Sequence, residues 1–485
     1  MAISIDDMAI FCRKKGFVYP SSAIYGGISG FWDYGPLGSE LFNNIKQSWW
    51  KFFVQDRDDM VGIDASIISH PRTWKASGHI DSFSDVSITC KACKKVNKLD
   101  KADVGKVPCD FCNGELDIAT AKELKLLFQT EVGAGENRLV SYLRGETAQG
   151  MFLDFKQIAD TARVKLPFGI AQIGKCFRNE IAPRDFIFRS REFTIAEFEF
   201  FINPEKKSSN LLDDDIKNQE LMLLDAETQD AEKNDINKTT IGKMLSQERL
   251  DEWHAYWLSM QLQWLKEIGL DFEKLKIREH KKSELSHYSS ATFDIDYQFP
   301  FGSKEIAGNA NRGQYDLNQH IKESKESLEI FDEETKTKII SRVIEPTFGM
   351  DRIFLSVIVN SYVDDKTRGN IVLKIQPKLA PIKVGIFPLV NKLDDKAKEV
   401  YNSIRKDFTC QYDRSGSIGR RYARADELGV PIGITYDFGS LEDNCVTLRD
   451  RDSTKQIRVK ISDLKKVIPK LLDGAEFEEA GKLIN

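Results

Sequence analysis

Four of the eight cysteines stand in two close pairs, Cys90-Lys-Ala-Cys93 and Cys109-Asp-Phe-Cys112, with 15 residues between the pairs. Each pair can grip one metal ion through a tight turn, and four thiolates complete a closed tetrahedral shell. Such a shell has no open position and cannot activate water. Zn2+ bound by Cys90, Cys93, Cys109 and Cys112 is therefore expected to be structural. The other four cysteines, Cys12, Cys176, Cys410 and Cys445, are scattered, as suits a reducing compartment.

A second group of residues can handle anions. Arg178-Asn-Glu180 is followed by a polar loop to Phe188 and then by Arg189-Ser-Arg191-Glu-Phe193. Arg-x-Glu alone means little, since about two are expected by chance in a chain of this length, and Arg144-Gly-Glu146 is another. The context adds the information. Strand periodicity puts Arg178 and Glu180 on one face, with the small Gly174 and Cys176 beside them, and puts Phe193, Ile195 and Glu197 on one face of the returning strand. A hairpin of this kind presents an arginine, two carboxylates and an aromatic plane to one cleft. The nearby Gly169-Ile-Ala-Gln-Ile-Gly-Lys175-Cys176 only mimics a phosphate loop. Cysteine replaces the magnesium-holding hydroxyl, and the surroundings read as strand.

The elements that must carry these groups are legible as patterns. Residues 38–54 place Leu41, Ile45, Trp49 and Phe53 on one helical stripe, with Pro36 just ahead. Segments 138–143, 168–177 and 191–201 read as strands, as do 291–299 and 339–346. A Trp- and Leu-rich helix is expected at about 248–268, and another follows Arg352. Residues 88–116 look inserted, and the acid-rich 203–250 reads as a polar surface insertion without active-site chemistry. Pro377, Pro381 and Pro388 mark a linker region, and from about 383 to 485 short apolar runs alternate with helices as in a small α/β domain. Composition is that of a globular protein, 41% hydrophobic and 30% charged, with a net charge of −5 that excludes only indiscriminate nucleic-acid binding. No apolar run reaches the roughly 18–20 residues of a membrane span, and no secretion signal is seen. A cytoplasmic location is expected.

The hairpin residues resemble motif 2 of class II aminoacyl-tRNA synthetases. Gly349-Met-Asp-Arg352 resembles motif 3, and Pro36 with its helix resembles motif 1, the dimer-forming element. More specific strings resemble the dimeric-type glycyl-tRNA synthetases: Tyr34-Gly-Pro-Leu-Gly38, Glu146-Thr-Ala-Gln-Gly150, Arg191-Glu-Phe-Thr-Ile-Ala-Glu197 and Glu345-Pro-Thr347. Ile418-Gly-Arg-Arg-Tyr422, Leu428-Gly-Val-Pro431 and Thr447-Leu-Arg-Asp-Arg-Asp452 resemble the family's anticodon-binding module. The match runs in order along nearly the whole chain.

This resemblance implies an α+β class. A catalytic domain built on a six- or seven-stranded antiparallel sheet would span 1–376, and an α/β anticodon-binding domain 380–485. It implies a homodimer that takes ATP with Mg2+, glycine and tRNA(Gly). Arg178, Glu180 and Arg352 would be catalytic. Arg178 would hold the ATP α-phosphate, Phe193 would stack on adenine and Arg352 would clamp the γ-phosphate. Asn179, Phe188, Arg191, Glu305, Ile306 and Gly349 would complete the ATP and magnesium site. Glu146, Glu197, Glu345 and Thr347, with Phe193 and Gly349, would surround glycine, and Arg312 would touch the adenylate or the acceptor end. Arg420, Arg421, Arg449 and Arg451 would meet tRNA. Gly145 and Thr347 depart from the family's usual proline and serine. A ligase of the same class for serine, threonine or proline is disfavoured by the three glutamates. A non-catalytic nucleic-acid-binding paralogue is disfavoured because Arg178, Glu180 and Arg352 are all kept.

Overall fold

The computed structural model describes residues 3–82, 84–99, 103–206, 208–286 and 288–484, so 100–102 of the expected ribbon lie outside the described residues. Strand segments rich in Phe, Ile and Ala, with one face apolar and the other carrying buried polar and acidic side chains, form the centre of one large sheet. Its strands are β1 (Met60–Gly62), β2 (Phe168–Phe177), β3 (Glu192–Ile202), β4 (Glu220–Leu224), β5 (Asn237–Thr240), β6 (Leu275–Glu279), β7 (Ala291–Phe299), β8 (Gly302–Gly313) and β9 (Arg342–Gly349). Among the described residues they pair in the order β5-β4-β6-β7-β8-β9-β3-β2-β1. Pairing is antiparallel except for β2 with β1 and β4 with β6.

The sheet is thus wider than the expected six or seven strands, and the reason lies in 203–250. That segment is not a polar surface excursion. It contributes β4 and β5 to the sheet edge and buries Ile216, Leu221, Leu223, Ile241 and Met244 in the main core. Its acidic residues hid short apolar stretches too brief to show a period.

One face of the sheet is covered by α1 (Pro36–Trp50) and α2 (Glu252–Glu267). Leu41, Ile45, Trp49 and Phe53, the expected stripe, are all fully buried. Phe198 of β3 lies 4.6 Å from Trp257, and Phe348 of β9 lies 5.4 Å from Trp264, ring centre to ring centre. Because strand side chains alternate, the neighbours of these aromatics, Glu197 and Thr347, point to the opposite face. There α3 (Tyr315–Ser324) and the short helix Ala148–Leu153 pack. α4 (Met350–Ser361) continues directly from β9.

The cysteine-bearing excursion is a three-stranded sheet of Ser84–Cys90, Val96–Leu99 and Leu116–Lys125, longer than the expected 88–116. After the prolines, β10 (Val384–Pro388), β11 (Cys410–Tyr412), β12 (Ile432–Tyr436), β13 (Cys445–Asp450), β14 (Gln456–Lys460) and β15 (Lys482–Ile484) form a second sheet, ordered β11-β10-β12-β13-β14-β15. It carries α5 (Ile418–Glu427) and an apolar core of its own that includes Ile386, Ile434 and Leu448.

Candidate active site

Residue pairing between β2 and β3 sets Cys176 opposite Phe193 and Phe177 opposite Glu192. β2 ends at Phe177, so Arg178 and Glu180 follow the strand rather than lie on it. Both still line one cavity of about 140 Å³, together with Phe188, Phe193, Thr347 and Arg352. Arg178 is aimed by its Nε, which donates to the Gly145 carbonyl at 3.1 Å, and its guanidinium stands 5.4 Å from the centre of the Phe193 ring. Arg352, in the first turn of α4, stands 4.6 Å from the Phe188 ring centre. Its Nη1 donates to the carbonyl of Glu305 at 3.0 Å and pairs with that residue's carboxylate at 3.1 Å. Glu180 receives Arg189 at 2.7 Å. The start of α4 is tied down by Asp351, which accepts from the Tyr34 hydroxyl at 2.5 Å and from the Thr194 amide at 2.6 Å. Two guanidinium forks beside two aromatic planes suit a ligand that joins phosphates to a flat base.

Behind Thr347 lies a buried acidic cluster. The Thr347 hydroxyl donates to Glu197 Oε2 at 3.3 Å, and the Thr147 hydroxyl donates to Oε1. Glu146 pairs with His79 at 3.2 Å and accepts from Gln149 at 2.9 Å. Glu345 accepts from Arg312 Nη1 at 2.7 Å, while Nε and Nη2 of Arg312 fork onto Asp316, each at 2.8 Å. Burial works to raise Glu146, but His79 and then Arg312 hold it well below the ordinary carboxylate range. Glu345 is pushed the other way, to about 8. Burial is the main cause, Arg312 opposes it, and the nearby Glu197 and Glu146 add to it. Burial likewise raises Glu197, with Glu146 adding to it. A buried cluster with surplus carboxylates suits a small cation such as an ammonium group.

Comparison with known proteins bears on both regions. The glycine–tRNA ligase of Caldanaerobacter subterraneus subsp. tengcongensis is 41% identical, covering 97% of this chain and 99% of the relative. Those of Acetivibrio thermocellus and Geobacillus thermodenitrificans are each 40% identical, covering 95% and 97% of this chain and 97% and 98% of the relatives. The chain belongs to the glycine–tRNA ligase family. Its reaction is that of the family, ATP-dependent activation of glycine and transfer of glycyl to tRNA(Gly). Residues 383–471 match the anticodon binding domain. At the level of fold, the chain is similar to a prolyl-tRNA synthetase of Cryptosporidium parvum solved with halofuginone and AMPPNP, and to the same enzyme solved with L-proline and AMP. Both are 15% identical, with TM-scores of 0.57 and 0.55, covering 96% of this chain and 76% and 74% of theirs. The α+β class and its class II character thus stand.

Not every family position lands where the resemblance puts it. Arg191 faces away from the cavity, with Nε on the Glu180 carbonyl at 3.0 Å and Nη1 on the Ser29 carbonyl at 2.8 Å, so it braces the motif 2 loop. Asn179 and Ile306 do not line the cavity either. The backbone N–H of Asn179 donates to the Leu126 carbonyl, and the Ile306 side chain is in the core. Arg312 is 1% exposed, among carboxylates, out of reach of an acceptor end.

The larger correction concerns tRNA. Arg421, Arg449 and Arg451 are buried. Arg421 donates to the carbonyls of Pro388, Arg414 and Gly416. Arg449 forks onto Asp426 at 2.9 and 3.1 Å, and Arg451 binds Asp452 and the Gly429 carbonyl. Most of their donors go to partners within the domain, and burial keeps these side chains off the surface that RNA would meet. Of the four, Arg420 alone is exposed. Reasoning from sequence also missed Asp316, His79, Thr147 and Glu199. Only Glu199 had a local signal, two residues beyond Glu197 on the same strand face.

The four ribbon cysteines gather as expected, with all thiols within 4.8 Å of one another. Sγ of Cys90 lies 3.6 Å from that of Cys112, and Cys93 is equally near Cys109. Tetrahedral zinc with bonds of about 2.3 Å sets its sulfurs roughly 3.8 Å apart. The donor set therefore fits.

Proposed function

We propose that the two regions divide the reaction between them, the arginine–aromatic cavity holding ATP and the acidic cluster holding glycine. The observation that carries this reading is their junction at Thr347, which lines the cavity and donates to Glu197. Glycine's ammonium group would lie toward Glu146, Glu197 and Glu345, leaving its carboxylate at the cavity. That carboxylate attacks the α-phosphorus of ATP in line, the bond to the β-phosphate oxygen breaks, and pyrophosphate leaves. Charge growing on the phosphate oxygens is met by Arg178, already aimed by the Gly145 carbonyl, so little reorganisation is needed. Arg352 would exchange its contact with Glu305 for the γ-phosphate, and Phe193 would stack on adenine. Mg2+ arriving with ATP would neutralise phosphate charge, and Glu305, the half-exposed carboxylate at the cavity mouth, fits that ion. The terminal ribose hydroxyl of tRNA then attacks the glycyl carbonyl and AMP leaves.

Rejection of other amino acids would rest on space, since a rigid pocket penalises an added methyl by about 1–3 kcal/mol. Zn2+ at the four cysteines would be structural. We further propose a cytoplasmic homodimer, divided into 1–376 and 380–485, with tRNA meeting Arg420. ATP–pyrophosphate exchange across the twenty amino acids is the test. Exchange dependent on glycine, at least tenfold above alanine or serine, is expected, and equal exchange with alanine would overturn the assignment of the pocket.

A further inference from the structure

Glu199 is the fully buried member of the acidic cluster with no role in the scheme above. Among the described residues, neither of its carboxylate oxygens has a hydrogen-bond partner. The register that pairs Glu197 with Thr347 and Phe200 with Ile344 sets Glu199 directly across from Glu345 on β9. Side chains so placed stand about 4.5–5.5 Å apart at Cβ, and like charges there are destabilising. On its other side, Glu199 faces the apolar Ile170 of β2.

Arg312 is the cation that offsets it, but none of its donors reaches Glu199. β3 adds Glu197, and α3 adds Asp316. The segment before Ala148–Leu153 adds Glu146, held with His79. β8 supplies Arg312, with Tyr288 stacked 3.9 Å from its guanidinium carbon, and the donors of Arg312 go to Asp316 and Glu345. Burial, then the nearness of Glu345, raise Glu199 well above the ordinary carboxylate range, against the pull of Arg312. Two facing carboxylates, one without any donor, cannot both be ionised in a dry site.

We infer that Glu199 and Glu345 share one proton in the substrate-free enzyme and that the ammonium group of glycine displaces it, which makes Glu199 the positioning residue that links glycine recognition to pH. The inference rests on the proposed amino-acid site. Entry of a cation beside Glu345 favours its ionised form, and the proton leaves to solvent as the ammonium charge replaces it. No bond other than O–H is broken. Glu199 acts through Glu345 and need not touch the substrate.

Two measurements on the full-length enzyme test this. Calorimetric titration with glycine, in buffers of differing ionisation heat near pH 7, reads the protons released on binding. The KM for glycine in pyrophosphate exchange is followed from about pH 6 to about pH 8. Wild type is expected to release about one proton, with KM falling about tenfold per pH unit, the slope of one displaced proton. Glu199→Gln keeps the size and a neutral donor but has no proton to lose. It is expected to release almost none and to show a KM that is flat with pH. A residue with a merely structural role would leave the proton count unchanged. Wild type releasing no proton overturns the inference whether or not the variant folds, and so does Glu199→Gln releasing as many as wild type. Glu345→Gln separates the two layers. If it leaves the glycine KM unchanged, the amino-acid site itself is misassigned. If it raises KM at least tenfold while Glu199→Gln still releases a full proton, the site stands and only the proton linkage fails.

Discussion

At the scale of single residues, Arg178 and Arg352 are the groups best placed to stabilise charge, each held by a carbonyl and facing an aromatic ring. Replacing either with alanine is expected to slow glycine-dependent pyrophosphate exchange at least about a hundredfold, the scale of losing one preorganised donor. Exchange at the wild-type rate would remove that arginine from the mechanism. A second residue-scale expectation concerns pH. Glu345 is raised to about 8 from its ordinary 4.5. Above pH 4.5 the folded protein therefore keeps a proton that the unfolded chain has lost. Its contribution to stability is full below about pH 4.5 and is lost as pH rises through about 8. The melting temperature of the ligand-free protein should fall between about pH 6 and about pH 8, by roughly 1 °C for each kcal/mol lost. Glu345→Gln should flatten that slope, and an unchanged slope in the variant would place the proton on another group.

At the scale of elements, the cysteine ribbon and the motif 2 loop are joined. The backbone N–H of Asn179 donates to the Leu126 carbonyl at 2.8 Å, and Arg184 approaches Asp110 at 3.9 Å. Lys94 and Asn113, each following the second cysteine of a pair, take the left-handed conformation that closes the two metal-binding turns. Freshly purified, reduced protein should hold about one zinc per chain. Chelation or Cys93→Ser should remove it, lowering aminoacylation more than pyrophosphate exchange. Metal analysis that finds no zinc would contradict the site. In the C-terminal domain, the same reasoning separates neighbours on α5. Arg421 satisfies three carbonyls, so Arg421→Ala should destabilise that domain by about 1–3 kcal/mol or more. Arg420→Ala should leave folding and activation within a fewfold of wild type, weaken tRNA binding and make its salt dependence shallower. A normal tRNA affinity in Arg420→Ala, measured at two salt concentrations, would move the RNA contact elsewhere on the domain.

At the scale of the whole molecule, several contacts tie the catalytic and anticodon-binding parts together. The hairpin of Tyr362–Asp365 and Asn370–Leu373, which follows α4, ends in Arg368. This residue donates to the carbonyls of Arg451 at 2.6 Å and Asp452 at 2.7 Å. Lys15 adds an ion pair with Glu427. The large apolar side chains of the motif 1 helix are not free to form a dimer face, because Trp49 and Phe53 are buried within the chain and Trp50 and Phe52 are half-buried. Among the described residues, the most exposed large apolar side chains are Ile24 and Tyr25, each at 88%, with Ile28 close by in sequence at 57%. Such a cluster favours cover by a second copy. Sedimentation at micromolar concentration should give twice the 55.3 kDa chain mass, and Ile24→Asp with Tyr25→Asp should shift it toward monomer. A monomeric wild type would refute the dimer.

What the sequence determined by itself was whatever depends on neighbours along the chain. The Cys-x-x-Cys pairs predicted a metal cluster because each turn is local. The 36–54 stripe predicted a buried helix because its period is local. The ordered motifs carried the family and the reaction, since several short strings in the right order are far more specific than any one of them. Tertiary structure decided whatever depends on who stands opposite whom. Arg420 and Arg421 are adjacent in sequence and alike in chemistry, yet one meets solvent and the other is spent on three backbone carbonyls. Residues 203–250 read as surface until β4 found β6, a strand some fifty residues further on, to pair with. Glu199 reads as an ordinary acidic residue until the β3–β9 register sets it against Glu345 with no donor in reach. Burial, pairing and proton affinity are set by contacts distant in sequence, and no local pattern encodes them.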